Sequence, residues 1–179
     1  MKEHPILFNS ENVRAILEGR KTQTRRVATR AISKWEVGDR LWVRETWWTP
    51  PHNWRLPEPE KNPTLVSYKE IVVSNCGTLA AARQTWLPSI FMPRWASRIT
   101  LEIVRVRVER LEEITQEDVI AEGISRYTLA RGCASLNPPD PRWKFIELWD
   151  SLNAKRGYGW AVNPWVWVIK FKMPKAEVG

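Results

Sequence analysis

Lys21, Thr22 and Thr24 stand among Arg20, Arg25 and Arg26 in the stretch Gly19-Arg20-Lys21-Thr22-Gln23-Thr24-Arg25-Arg26. An ammonium crowded by guanidinium groups has its charged form disfavoured, which lowers its pKa. A neutral amine then accepts a proton from a nearby hydroxyl and turns that hydroxyl into a nucleophile. The chemistry these residue types suit is activation of a nucleophile, with Lys21 as the base and a threonine hydroxyl as the group it activates. The run is not a phosphate-cradling loop, because it lacks the G-x-x-x-x-G-K-[ST] spacing and follows a helix instead of opening one. A solvated basic loop that grips phosphates is the plainer reading of the same residues.

The rest of the chain frames that motif with positive charge and indole rings. Among 179 residues, 28 Lys and Arg against 20 Asp and Glu give a formal net charge of +8. That balance favours a polyanionic partner. Acidic membrane lipid is a weaker candidate, because no basic amphipathic helix or long apolar run accompanies the charge. Twelve tryptophans are too many for one central core. Most are expected to be filler, while Trp47, Trp48 or Trp95 are candidates to stack on a base. Beside them, Arg26, Arg94 and Arg98 join Lys21 and Arg25 as candidate phosphate contacts. With His4 and His52 as the sole imidazoles, and Cys76 and Cys133 in no ligand spacing, neither a metal nor another cofactor is expected. The opening residues carry too short an apolar stretch for a signal peptide, so the chain reads as cytoplasmic.

Local patterns predict the elements that must position the motif. Asn9 or Ser10 caps a helix carrying Val13, Ile16 and Leu17, which Gly19 ends. Gly38-Asp39 turns into a strand over 40–45, stopped by Trp47-Trp48-Thr49-Pro50-Pro51. A proline-rich loop follows over about 50–63, then a strand over 65–68 and a less regular insertion over about 71–97. The strand at 99–111 switches its apolar phase from Ile99, Leu101 and Ile103 to Val104, Val106 and Val108, which predicts a β-bulge near Ile103–Val104. Alternation puts Arg105 and Arg107 on the outer face of that strand. Thr115 caps a helix ending at Gly123, and Phe145, Leu148, Trp149 and Leu152 mark another over about 142–153. An alternating strand over 165–172 closes the chain. Strands separated by short helices without βαβ alternation indicate a single α+β domain over 1–179, best satisfied by a small mixed or antiparallel β-barrel with short helices at its rim.

The run Ile16-Leu17-Glu18-Gly19-Arg20-Lys21-Thr22-Gln23-Thr24-Arg25 resembles the opening motif of ASCH domains, a branch of the PUA-like superfamily. Val37-Gly38-Asp39-Arg40-Leu41-Trp42-Val43, Ala121-Glu122-Gly123-Ile124 and Asn163-Pro164-Trp165-Val166-Trp167-Val168-Ile169 match further landmarks in order. The block from Trp86 to Arg98 is similar to the longer phage- and prophage-associated type. The resemblance implies a PUA-like barrel with a cleft for RNA or a nucleoside. One bacterial branch of that family hydrolyses N(4)-acetylcytidine with a Lys, a Thr and a Glu. Matched residue by residue, these fall on Lys21, Thr24 and Glu122, with Glu117 and Asp118 as rivals for the acid. This chain is longer than that branch and adds Trp-rich and Pro-rich segments. Two readings follow: hydrolysis of an N-acyl group on a modified nucleoside, or binding of RNA or another single strand without catalysis. A phage structural role comes last, since coiled-coil repeats and long apolar edges are absent from the sequence.

Overall fold

The computed structural model describes residues 1–29, 35–69, 85–124 and 140–174. In chain order the elements are β1 (Glu3–Leu7), α1 (Ser10–Leu17), β2 (Gln23–Val27), β3 (Arg40–Arg44), β4 (Trp47–Trp48), α2 (Pro51–Arg55), β5 (Ser67–Tyr68), β6 (Thr100–Arg110), α3 (Gln116–Ala121), α4 (Arg142–Asn153) and β7 (Trp165–Lys172), with several 3-10 turns between them. The chain divides into two compact units, one of Met1–Arg14, Asp39–Glu102 and Met173–Gly179, the other of Ala15–Gly38 and Ile103–Lys172. The hydrogen-bonded strand order is β1-β3-β6-β7-β2.

That order overturns the barrel. The sheet is mixed and open, with β1 and β2 at its two ends instead of paired to each other. Each end has a physical reason to stay unpaired. Pro5 in β1 has no N–H to offer a further strand, and proline within sheets is confined to such edges. β2 carries Arg25 and Arg26, and charge on an edge strand discourages further pairing.

In the first unit β1 runs parallel to β3, from Glu3 opposite Arg40 to Leu7 opposite Arg44. β3 is antiparallel to the start of β6, where Leu41 faces Leu101. Leu41, Trp42 and Val43 are all buried, so this strand is covered on both faces. Trp47-Trp48 does more than stop a strand, because it pairs with Ser67-Tyr68 as a small separate ribbon. Trp47, Val66, Met92 and Ala96 form the core beneath it, with Tyr68, Leu87 and Trp95 packed against them. The proline-rich segment also holds the short helix α2, with proline at its first turn, where a missing N–H does no harm. Of the irregular insertion, residues 70–84 lie outside the described residues, as do Cys76 and Cys133; residues 89–91 and 94–96 are 3-10 turns. Glu45 is buried, and Arg98 meets it with Nε to Oε1 at 2.8 Å and a terminal nitrogen to Oε2 at 2.9 Å. Such a fork-to-fork pair satisfies both carboxylate oxygens, which is what makes burying the charge tolerable.

In the second unit β2 pairs antiparallel with β7, from Gln23 opposite Lys170 to Val27 opposite Val166. Leu111, Ile114, Val119, Phe145, Trp149, Val166 and Val168 make its core. α4 brings Phe145 and Trp149 together as a stacked pair with centroids 5.9 Å apart. The Trp149 indole N–H donates to the Tyr158 carbonyl at 2.8 Å, so its polar end is satisfied. Leu152, expected on the same stripe, is exposed. Thr115 caps α3 through Oγ1, which accepts from the Asp118 N–H at 3.2 Å. On β6, Leu101 and Ile103 are buried but Val108 is exposed, so the later valines do not continue the core. The positions in step with Leu101 and Ile103 carry Arg105, Arg107 and Glu109, so the pattern changes there from apolar to ionic.

Tyr68 provides a check on the first unit. Its hydroxyl donates to the Ala96 carbonyl at 2.9 Å, and burial together with the Glu45 charge pushes its pKa up to about 12, against the pull of Arg98. Ultraviolet titration is expected to show a phenol ionising at about pH 12, and Tyr68→Phe is expected to remove that step.

Candidate functional site

The basic motif lies wholly in the second unit, and a turn places it. Gly19 takes φ +72°, a conformation other residues rarely adopt. Past that turn the N–H groups of Arg20 and Lys21 both donate to the Ala15 carbonyl, at 2.8 and 2.9 Å. Lys21 then bridges to Glu122, and the Thr22 N–H donates to the Ala121 carbonyl at 2.8 Å. The end of α3 and the approach to β2 are therefore joined through their backbones before any side chain is considered.

The Lys21 amine donates to both ends of Glu122, reaching the backbone carbonyl at 2.8 Å and Oε2 at 2.7 Å. The side chains are only 3% and 7% exposed. A carboxylate at the last turn of a helix faces the negative end of the dipole, yet here the ammonium reaches the same carbonyl end and offsets it. Burial holds the Lys21 pKa below its ordinary value. Glu122 opposes that shift, while Arg26 and Arg25 add to it in smaller measure. The crowding of cations visible in the sequence is thus real but secondary to desolvation. Burial also lowers the Arg26 pKa, again opposed by Glu122.

Arg25, with a side chain 1% exposed, ties this pair to a larger network. It donates to Glu122 Oε1 at 3.3 Å, Glu109 Oε1 at 2.6 Å and Asp118 Oδ2 at 2.7 Å. Arg107 backs the same acids, reaching Glu109 Oε2 at 2.8 Å and the two Asp118 oxygens at 3.1 and 3.0 Å. Gln23 donates to Asp118 Oδ1 at 2.9 Å and accepts from Arg107 at 3.2 Å. Strand alternation explains the grouping, since Lys21, Gln23 and Arg25 share one side of their segment and all meet groups from α3 or β6. Burial works to raise the Asp118 carboxyl, but the Gln23 hydrogen bond and the charges of Arg25 and Arg107 outweigh it and hold it below the usual carboxylate range.

The structure therefore brings together Lys21, Glu122 and Arg25. Thr24 is buried in β2 opposite Ile169, out of phase with Lys21, and among the described residues no hydrogen bond joins its hydroxyl to the amine. Of the rival acids, Asp118 belongs to the network and Glu117 is exposed. Arg20 lies at the surface, pairing with Glu18 and donating to the Gly123 carbonyl at 2.9 Å. Trp47, Trp48, Arg94, Trp95 and Arg98 belong to the first unit. There Trp47 is fully buried in the core, Trp95 packs edge-on against it, and Trp48 is half-buried. Arg94 pairs with Glu3 and Arg98 with Glu45. Arg107, expected to extend a basic outer face with Arg105, instead pairs with acids, while Arg105 is exposed.

Sequence reasoning missed Gln23, Arg107, Glu109 and Asp118 as one network. A signal existed: Arg107 and Glu109 share one face of a strand, and two acids, Asp118 and Glu122, share one face toward the end of a helix, a like-charge pair that calls for cations from elsewhere. Gly123 was noticed as a helix stop, but its closer duty is steric. At φ +89°, a Cβ there would lie 2.9 Å from the Ala15 Cβ and 3.0 Å from the Lys21 Cβ. Among the described residues no group of three or more His, Cys, Asp or Glu is arranged to hold a metal ion, and no helix is long and apolar enough to cross a membrane.

No family model and no curated protein matches the chain. The structure is weakly similar to the ASCH domain from Lactobacillus crispatus JV V101, with 14% identity, a TM-score of 0.45 and coverage of 96% of this chain and 78% of that one. It is also weakly similar to the hypothetical protein PH0355, with 12% identity, a TM-score of 0.43 and coverage of 97% of this chain and 100% of that one.

Two variants test the network. Between the depressed Lys21 pKa and its ordinary value, the unfolded chain binds a proton that the folded chain has lost, so stability rises with pH there. Glu122→Gln removes the group that opposes the depression and leaves a buried charge without its partner. It is expected to lose about 3–5 kcal/mol near neutrality, part of it regained as pH rises, by urea midpoints. Asp118 works in the other direction: its contribution is present above the unfolded carboxyl pKa and lost as pH falls through the lower folded one. Asp118→Asn is expected to lower stability near neutrality and to flatten its decline in acid.

Proposed function

We propose that the second unit recognises a modified nucleoside, free or within a nucleic acid, and hydrolyses an N-acyl group from it. The observation that carries this reading is the Lys21 amine held 2.7 Å from the Glu122 carboxylate, with both side chains buried. A lysine whose pKa is lowered by burial suits the role of general base, because the neutral amine is the form that accepts a proton. Glu122 orients the amine through Oε2, and Arg25 holds the other oxygen of the same carboxylate. Thr24 takes the nucleophile's place by its position in the motif. In the free protein β2 holds it out of phase with Lys21, so its part in the reaction rests on the motif and is what the Thr24→Ala variant tests.

A second reading is retention of RNA or another single strand by the basic side chains without reaction. The geometry favours it less, because Arg20, Arg25, Arg94 and Arg98 each already face a carboxylate. A phosphate would have to displace those partners, and a guanidinium buried among three acids is not an available grip.

The test is a screen of purified protein against N-acylated nucleosides, N(4)-acetylcytidine among them. Release of the acyl group is expected, with Lys21→Met and Thr24→Ala each reducing turnover by about 100-fold or more, as removal of a general base or nucleophile does. Full activity in Lys21→Met defeats the assignment. Binding of single-stranded RNA that is lost steeply with added salt, with no acyl release from any substrate, supports the second reading instead.

A further inference from the structure

We propose that Trp54 and Trp95, with Trp47 packed against both, form a binding site in the first unit for a methylated ammonium group, a place that the Lys61 amine holds in the free protein. The Lys61 Nζ lies 5.3 Å from the Trp54 ring centroid and 5.0 Å from that of Trp95. Both distances fall within the roughly 6 Å over which an indole face attracts a cation. Among the described residues no carboxylate pairs with Lys61, although Glu58 and Glu60 precede it in the adjoining 3-10 turn. Its ammonium is held by ring faces.

The walls are built, not incidental. Trp47 meets Trp54 at 5.4 Å with planes inclined by 50° and Trp95 at 6.0 Å with planes at 86°. Asn53, fully buried beside Trp54, fixes the segment carrying Lys61: its amide donates to the Asn62 carbonyl at 3.1 Å and to Thr49 Oγ1 at 2.9 Å, and its oxygen accepts from the Asn62 N–H at 2.8 Å. Trp54 is 46% exposed, so the box opens to solvent on that side. The indole N–H groups of Trp47 and Trp95 are buried and meet no acceptor among the described residues, so what these rings contribute is their faces.

The chemistry of the occupant follows. A primary ammonium is strongly hydrated, and its three N–H donors find no acceptor on a hydrocarbon face. A methylated ammonium carries the same charge without those donors. Methyl carbons resting at about 3.5–4.0 Å from each ring would stand between the charge and the indoles. Spacings of 5.0 and 5.3 Å leave room for them. Such a ligand displaces Lys61, whose amine returns to water beside Glu58 and Glu60.

Choline, its neutral carbon analogue 3,3-dimethylbutanol, and a short peptide bearing trimethyllysine are the probes, read by the NMR shifts of the Trp54 and Trp95 indole N–H groups. Choline is expected to shift both resonances and the neutral analogue neither. Lys61→Ala and Lys61→Gln remove the internal competitor and are expected to tighten binding about five- to tenfold. Trp54→Ala is expected to abolish it. Binding of the peptide alone identifies a modified protein as the source, and binding of choline identifies a free small molecule. Equal binding of dimethylbutanol, no gain in either Lys61 variant, or no binding by any probe overturns the proposal.

Discussion

Burying an ammonium is unfavourable unless its charge and its donors are both answered, and the Lys21–Glu122 contact answers them together. The Glu122 carboxylate supplies the opposite charge, and its backbone carbonyl accepts a second hydrogen bond. Arg25 then occupies the remaining carboxylate oxygen, so neither partner can turn away without leaving another buried charge exposed to low dielectric. Glu109, Asp118 and Arg107 repeat the same logic one step further out. The result is a lattice of alternating charge in which each member is fixed by at least one neighbour on a different element. That network fixes the position of the amine from several elements at once.

Much of the local structure was legible from the sequence. The Asn9 cap, the stop at Gly19, the Thr115 cap, the span 142–153 and the closing strand follow from side-chain chemistry within a few residues, and the structure places them there. What was not legible is non-local. Barrel or open sheet depends on whether β1 and β2 meet, and nothing in either segment reports the position of the other. The fate of each arginine likewise depends on acids far along the chain, as Arg25 shows with partners at 109, 118 and 122. Composition counts these groups as free positive charge, whereas in the fold Arg20, Arg25, Arg94, Arg98 and Arg107 each face a carboxylate.

The tryptophans show the same limit. Their number points to a stacking surface, yet of the candidates Trp47, Trp48 and Trp95 the first is fully buried and the last packs edge-on against it. Trp54, in the stretch read as a plain proline-rich loop, is the more exposed ring of that cluster. A proline at the first turn of a helix is easily mistaken for a loop marker, which is why α2 and the ring it carries were passed over.

The tight approach at Gly123 carries a consequence for how the amine is placed. Because a single added carbon there would press on both Ala15 and the stem of Lys21, the absence of a side chain at 123 sets how deeply the lysine sits. Position 123 therefore acts as a depth gauge. Replacing its hydrogen with a methyl would strain the backbone at φ +89° and press the lysine stem outward, and the trace of that displacement would be a lysine more reactive toward acylating reagents.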